Sequence, residues 1–139
     1  MLYGLAVPAI VAMTLMSAGC GASGSNKRVD APVVRISERD FHITAPKRVP
    51  AGDVVLSVHN RGPVDHELIV VRSNGSELPF RADGLTVDED AVRPVGTLEP
   101  GLPGKTRKLR VRLKRGRYEM FCNMSGHYHG GMEKEFEVR

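Results

Sequence analysis

The chain has 139 residues, of which 41% are hydrophobic and 26% charged, as expected for one ordinary globular domain. Its formal net charge is only +4 and 5% of its residues are aromatic. The sequence therefore offers no stacking platform for nucleic acid, and we expect no nucleic-acid partner. The chain has two cysteines, Cys20 and Cys122, and a disulfide between them would consume the best candidate metal ligand.

The N-terminal segment predicts export and attachment to a membrane. Residues 1–19 carry no charged side chain and end in small residues before Cys20. A run of about fifteen apolar residues is typical of a signal peptide rather than a spanning helix. We interpret residues 1–19 as a lipoprotein signal peptide and Cys20 as the lipidated first residue of the mature protein. The alternative is an uncleaved membrane anchor, and both predict an extracytoplasmic domain, at the cell surface or in the periplasm.

Residues 20–31 are small and polar, which is typical of a flexible linker. Alternating apolar and polar residues then predict strands through the remaining segment, 32–139. The strands are predicted at Val33–Ile43 (one or two), Asp53–Asn60, Asp65–Arg72, Lys105–Lys114, before Cys122, and at Lys134–Arg139.

Two stretches of this segment carry further predictions. Between Ser73 and Gly96 the sequence predicts a solvated surface insertion. The alternative is that residues 86–91 open a short helix with Thr86 as its N-cap. The positively charged residues of Lys105–Lys114 are predicted to face solvent and to discourage pairing at a sheet edge. Seven or eight short strands without a long amphipathic helix predict an all-β, single-domain fold, an antiparallel Greek-key β-sandwich.

Metal-binding side chains are concentrated in GRYEMFCNMSGHYHGGM, residues 116–132. Cys122, His127 and Met132 follow the pattern C-x4-H-x4-M, and thiolate, imidazole and thioether groups suit copper in electron-transfer sites. Because three ligands from one loop do not close a site rigidly, we expect a fourth ligand from elsewhere. His66 is the candidate, since it begins a strand and is predicted to point toward the core. His129 is an alternative to His127.

These residues, together with the motifs His66-Glu67-Leu68 and Gly116-x-Tyr118, resemble the cupredoxins, the small blue-copper proteins. The likeness is to sulfocyanin-, rusticyanin- and plastocyanin-like members and covers roughly Pro32 to Arg139. It implies one copper ion that alternates between Cu(I) and Cu(II). The implied copper ligands are His66, Cys122 and His127 in a trigonal plane, with Met132 in an axial position. Many members have Asn directly after the first histidine, where this chain has Glu67.

The resulting functional prediction is a type 1 (blue) copper protein that carries single electrons and is not an enzyme. We expect a monomer that exchanges electrons with a redox partner protein, such as a membrane oxidase, reductase or cytochrome. The alternative is a copper-binding, delivery or storage protein of the cell envelope. Five histidines are too few for the trinuclear centre of a multicopper oxidase. Among the ligands, His127 is predicted to lie nearest the surface, with Gly130 leaving its edge open to a partner.

Overall fold

The computed structural model describes residues 30–139, so the predicted signal peptide and Cys20 lie outside the described residues. The elements are β1 Val33–Arg39, β2 His42–Thr44, β3 Arg48–Val49, β4 Gly52–Asn60, β5 His66–Arg72, α1 Glu89–Val92, β6 Gly96–Gly101, β7 Thr106–Leu113, β8 Gly116–Phe121 and β9 Glu133–Val138. Within residues 30–139, no helix has the length and apolarity needed to span a membrane.

The strands form two sheets, in the orders β2-β1-β4-β7 and β3-β9-β8-β5-β6. Most neighbouring strands are antiparallel, whereas β1 with β4 and β3 with β9 are parallel. Between β1 and β4 the chain leaves the first sheet to form β3 in the second, and such a crossover allows parallel neighbours. The predicted all-β sandwich is confirmed, with nine strands in the described part and with two parallel pairs that the antiparallel prediction lacked.

The core lies between the two sheets and ends at the candidate site. Val54, Leu56 and Val58 of β4 are fully buried, while the residues between them are half-buried, as in a strand with one face on the core. In the opposite sheet, Tyr118 and Met120 of β8 point into the same hydrophobic cluster. The alternation along β8 therefore continues to the next inward position, which is Cys122.

The segment between β5 and β6 lies largely at the surface, as the sequence predicted, but its apolar residues also cover the second sheet, which the sequence did not predict. Val87 is fully buried within a second hydrophobic cluster, on the outer face of the second sheet. The other members of this cluster are Ile69, Val71 and Phe121, with Leu78, Phe80, Val92 and Tyr128 packed against them. This cover explains why β5 is buried on both faces, although one side of a sandwich sheet usually faces water.

The short helix that was the alternative for this segment is present, but Thr86 is not its N-cap. The helix α1 begins at Glu89, and its N-cap is Asp88, whose carboxylate accepts a hydrogen bond from the Asp90 backbone N–H. The hydroxyl of Thr86 instead donates to Asp83, and the same carboxyl group also accepts from the Thr86 backbone N–H. Thr86 is therefore held in the turn before the helix.

Candidate metal centre

Three of the four predicted copper ligands converge. His66, Cys122 and His127 each place one ligand atom within 4.8 Å of the ligand atoms of the other two. Among residues 30–139, this is the one group of three or more His, Cys, Asp or Glu side chains that could hold a metal ion. Strand pairing brings two of them together: His66 begins β5, Cys122 follows β8, and Ile69 pairs with Phe121 in these adjacent antiparallel strands. The start of β5 and the end of β8 therefore lie side by side.

The loop from Cys122 to Met132 is closed by backbone hydrogen bonds, which bring His127 next to Cys122. The backbone N–H of Cys122 donates to the Met132 carbonyl at 3.1 Å, and that of Met132 donates to the His127 carbonyl at 3.0 Å. Gly126 and Gly131 have φ angles of 76° and 98°, which side-chain-bearing residues rarely adopt. As a result, His127 Nδ1 lies 3.5 Å from Cys122 Sγ.

The loop is anchored to the outer cluster by the residue after His127. The Tyr128 ring packs edge-to-face against both Phe80 and Phe121, at centroid distances of 5.3 and 5.5 Å. Its hydroxyl donates to the buried carboxyl of Glu119 at 2.8 Å. The segment between β5 and β6 thus supports the loop that presents His127.

The His66 ring is prepared to bind a cation. It is fully buried, its Nε2 lies 3.1 Å from Asp40 Oδ1, and its Nδ1 has no hydrogen-bond partner among the described residues. Since Nε2 faces a carboxylate, the network assigns the proton to Nε2 and leaves a lone pair on Nδ1. A buried nitrogen without a partner is costly, and a metal ion bound at Nδ1 would remove that cost.

The protonation of the donor set also fits a bound cation. Burial raises the pKa of the Cys122 thiol to about 11, although the backbone N–H groups of Met124 and Glu67 donate to the sulfur and oppose the shift. Burial lowers the pKa of His66, and so does the nearby His127 ring. At neutral pH the site thus holds a neutral thiol and a neutral His66, and a metal ion would supply the charge that stabilises the thiolate.

Glu67 replaces the expected asparagine and still joins the two ligand segments. Its backbone N–H donates to the Cys122 sulfur, and its carboxylate accepts a hydrogen bond from the Asn123 backbone N–H. Burial raises the pKa of this carboxyl group. A side chain one methylene longer than asparagine therefore connects the start of β5 to the loop after β8.

The two remaining candidate copper ligands, Met132 and His129, lie in different places. Met132 is fully buried in the same cluster as Cys122, and its axial role stays a prediction. His129 lies outside the ligand group: its Nε2 donates to the Gly84 carbonyl at 2.8 Å and its ring stacks on Phe80 at 4.4 Å. Of the two loop histidines, the structure therefore places His127 beside Cys122.

Two residues near the ligand group, Asp40 and Phe41, were not predicted from the sequence; they form the turn between β1 and β2. Asp40 contacts His66, and the Phe41 ring lies edge-to-face with the His127 ring at a centroid distance of 5.4 Å. A Cβ at Gly130 would come within 2.1 Å of the Phe41 ring, so Phe41 covers Gly130, which we had expected to be open. Asp40 is a common turn residue, but a preference for a turn does not indicate which distant side chains that turn contacts.

A buried ion pair lies in the same part of the fold. Glu38, two residues before Asp40, is fully buried, and Arg107 Nη2 lies 2.6 Å from its Oε2. Burial raises the pKa of Glu38 to about 7, against the opposing effect of the Arg107 charge. The Glu38 charge in turn raises the pKa of Cys122, so this carboxyl group belongs to the electrostatic surroundings of the site.

The two sheets and the position of the ligand group define a cupredoxin-like fold. No protein-family model matches the sequence, and a search of curated proteins found no match.

Solved cupredoxin structures have the same fold. Auracyanin from Roseiflexus castenholzii is 15% identical, with 78% of this chain and 98% of that chain covered and a TM-score of 0.60. Auracyanin A from Chloroflexus aurantiacus, described as a "blue" copper protein, is 17% identical, with 77% and 98% covered and a TM-score of 0.60. Rusticyanin from Thiobacillus ferrooxidans is 14% identical, with 78% and 79% covered and a TM-score of 0.57. At these identities the likeness establishes the fold.

Proposed function

We propose that this protein is a mononuclear type 1 copper protein that carries one electron at a time. The observation that carries the proposal is the buried group of two imidazoles and one thiol, in which His66 Nδ1 has no other partner among the described residues. His66, Cys122 and His127 would hold the ion, with Met132 as the weak axial ligand. When bound, copper would accept and release the electron, and a thiolate with two imidazoles suits both of its oxidation states.

The protein fold holds the ligands in position before copper binds and keeps them away from water. Two adjacent strands and the backbone hydrogen bonds of the loop fix the positions of Cys122 and His127. The N–H groups of Glu67 and Met124 donate to the Cys122 sulfur, and they would stabilise the thiolate that forms when a metal ion binds. Because His66 and Cys122 are fully buried, we expect copper to be retained through many cycles rather than handed over.

The proposal includes a partner and a location. We expect a monomer that meets a redox partner protein, such as a membrane oxidase, reductase or cytochrome, in weak encounters that need a small contact area. Phe41, which is 51% exposed, lies beside the half-buried His127 at the surface through which an electron would leave. A lipid on Cys20 and the linker 20–31 would keep the domain outside the cytoplasm and close to a membrane. We propose an electron carrier and not an enzyme.

The test separates a carrier from a copper-delivery protein. The full-length protein, purified in mild detergent and loaded with one equivalent of copper, is cycled electrochemically in the presence of a Cu(I) chelator. A carrier gives a reversible one-electron wave and keeps its copper over many cycles. Loss of copper to the chelator on the first reduction would instead favour delivery or storage. If there is no reversible wave, the electron-transfer proposal fails.

A further inference from the structure

The Asp40-Phe41 turn between β1 and β2 combines an unusual backbone with two contacts to the ligand group. Arg39 pairs with His42, so the turn consists of two residues. Phe41 has φ of 60°, in the left-handed region that a bulky residue rarely adopts. Such strain persists where the surroundings hold the residue in place, and it is often found at functional sites.

Asp40 packs against the buried His66 ring, while its own side chain stays 36% exposed. In addition to the 3.1 Å contact between Asp40 Oδ1 and His66 Nε2, the Gly62 backbone packs against the pair. A Cβ at Gly62 would lie 2.6 Å from His66 Nε2 and 2.7 Å from Asp40 Oδ1. The Gly62 N–H donates to the buried side chain of Asn60 at 2.8 Å, which fixes this wall. The hydrogen bond therefore lies in a fitted space that only a glycine leaves open.

Phe41 is seated on the other ligand segment. Its ring occupies the space that a Cβ at Gly130 would need, and the Phe41 carbonyl lies 3.5 Å from the Cβ position of Gly131. The same ring meets the His127 ring edge-to-face. The His66 and His127 rings are themselves 5.2 Å apart, so one two-residue turn touches both imidazoles.

We propose that the Asp40-Phe41 turn is the positioning element for the two imidazole ligands. Asp40 fixes the tautomer and orientation of His66, and Phe41 holds the His127 ring next to Cys122 Sγ. The left-handed backbone at Phe41 lets two successive side chains reach two different rings. This inference rests on the proposed copper site, and both residues act through the ligands rather than on copper itself.

The role of Asp40 has consequences for both affinity and potential. Outer partners of metal-bound histidines are worth about 10- to 100-fold in metal affinity. The negative charge on Asp40 favours Cu(II) over Cu(I), because it attracts the ion of higher positive charge more strongly. Asp40→Ala should therefore weaken copper binding by about 10- to 100-fold. Asp40→Asn keeps an acceptor oxygen, so it should retain most of the affinity while the reduction potential rises.

The first experiment needs no metal. Nitrogen-15 NMR of the copper-free, full-length protein in detergent reports the protonation of each histidine ring nitrogen. The wild type should show His66 as one tautomer, with the proton on Nε2, and Asp40→Ala should show exchange between tautomers. Asp53→Ala is the matched control, since Asp53 is an exposed aspartate paired with Arg112 at the opposite end of β4. A single Nε2–H tautomer in Asp40→Ala would overturn the role of Asp40.

The second experiment tests Phe41. Phe41→Gly removes the ring and the backbone strain, so the copper-free protein should keep or gain thermal stability while copper affinity falls about 10-fold. Leu102→Ala, which truncates another exposed apolar residue, should leave affinity unchanged. Wild-type affinity in Phe41→Gly would overturn the role of Phe41. If the wild type itself binds no copper, the proposed function fails, and the NMR result still decides whether Asp40 positions His66.

Discussion

Glu38 allows a quantitative test of the electrostatics around the site. Its side chain is fully buried, and it has one cationic partner, Arg107, in the described part of the chain. One of its oxygens, Oε1, has no hydrogen-bond partner among residues 30–139. Burial therefore outweighs the Arg107 charge and raises the pKa of Glu38 from 4.5 to about 7.

The direction of the pH effect follows from this raised pKa. Between pH 4.5 and about pH 7, the unfolded chain has lost the Glu38 proton while the folded chain retains it. Stability therefore falls as the pH rises through this range, and it levels off above pH 7. At about 1.4 kcal/mol per pKa unit, the loss attributable to Glu38 is on the order of 3 kcal/mol.

The substitution Glu38→Gln should remove this loss. The variant resembles the protonated form, so its free energy of unfolding should approach that of the wild type at pH 5 and exceed it by about 3 kcal/mol at pH 8. The assay is urea unfolding of the copper-free, full-length protein at several pH values between 5 and 8. Burial also raises the pKa of Glu67 and Glu119 and lowers that of His66, but these groups are present in both proteins. Of the three, only Glu67 affects the pKa of Glu38, and its effect is the smallest of the causes.

A matched control is Asp53→Asn, which removes an exposed carboxylate paired with Arg112. Its stability relative to the wild type should not depend on pH over this range. If the difference between Glu38→Gln and the wild type is the same at pH 5 and pH 8, the reasoning about Glu38 is wrong.

Two further predictions concern the axial ligand and the membrane anchor. Met132→Leu should keep coloured copper and raise the reduction potential in voltammetry, because loss of a weak donor destabilises Cu(II) more than Cu(I); a lower potential would argue against an axial Met132. In a bacterial host that processes lipoproteins, the protein should partition with membranes, and Cys20→Ala should change its processing on gels and in mass spectra. An intact segment 1–20 in the native host would show that the anchor is an uncleaved helix.

Strands with one buried face were predictable from the sequence because their alternation is local. The predicted Asp53–Asn60 and Lys105–Lys114 are confirmed as β4 and β7, and β7 is an edge strand, as its positively charged residues indicated. The two-residue β3 is too short to show alternation. The cover formed by Phe80 and Val87 was missed because its apolar residues have no regular spacing and pack against a face formed elsewhere in the chain.

The candidate site also has a part that the local sequence predicts and a part that depends on contacts between distant residues. Spacing within one loop indicated Cys122 and His127, and the inward face of a strand indicated His66. The contact between Asp40 and His66 joins residues 26 positions apart. It also depends on a left-handed phenylalanine, which no sequence pattern predicts. Packing between sheets, rather than local preference, produces this part of the site.

The most direct measurement is a Cu(II) titration of the full-length protein followed by visible absorption and electron paramagnetic resonance. A copper–thiolate centre predicts intense visible charge-transfer absorption that saturates at one copper per chain. Cys122→Ser should abolish the colour, while Cys20→Ser, which removes the other cysteine, should keep it. A colourless wild type with bound Cu(II), or a Cys122→Ser variant that keeps the wild-type colour, would contradict the account.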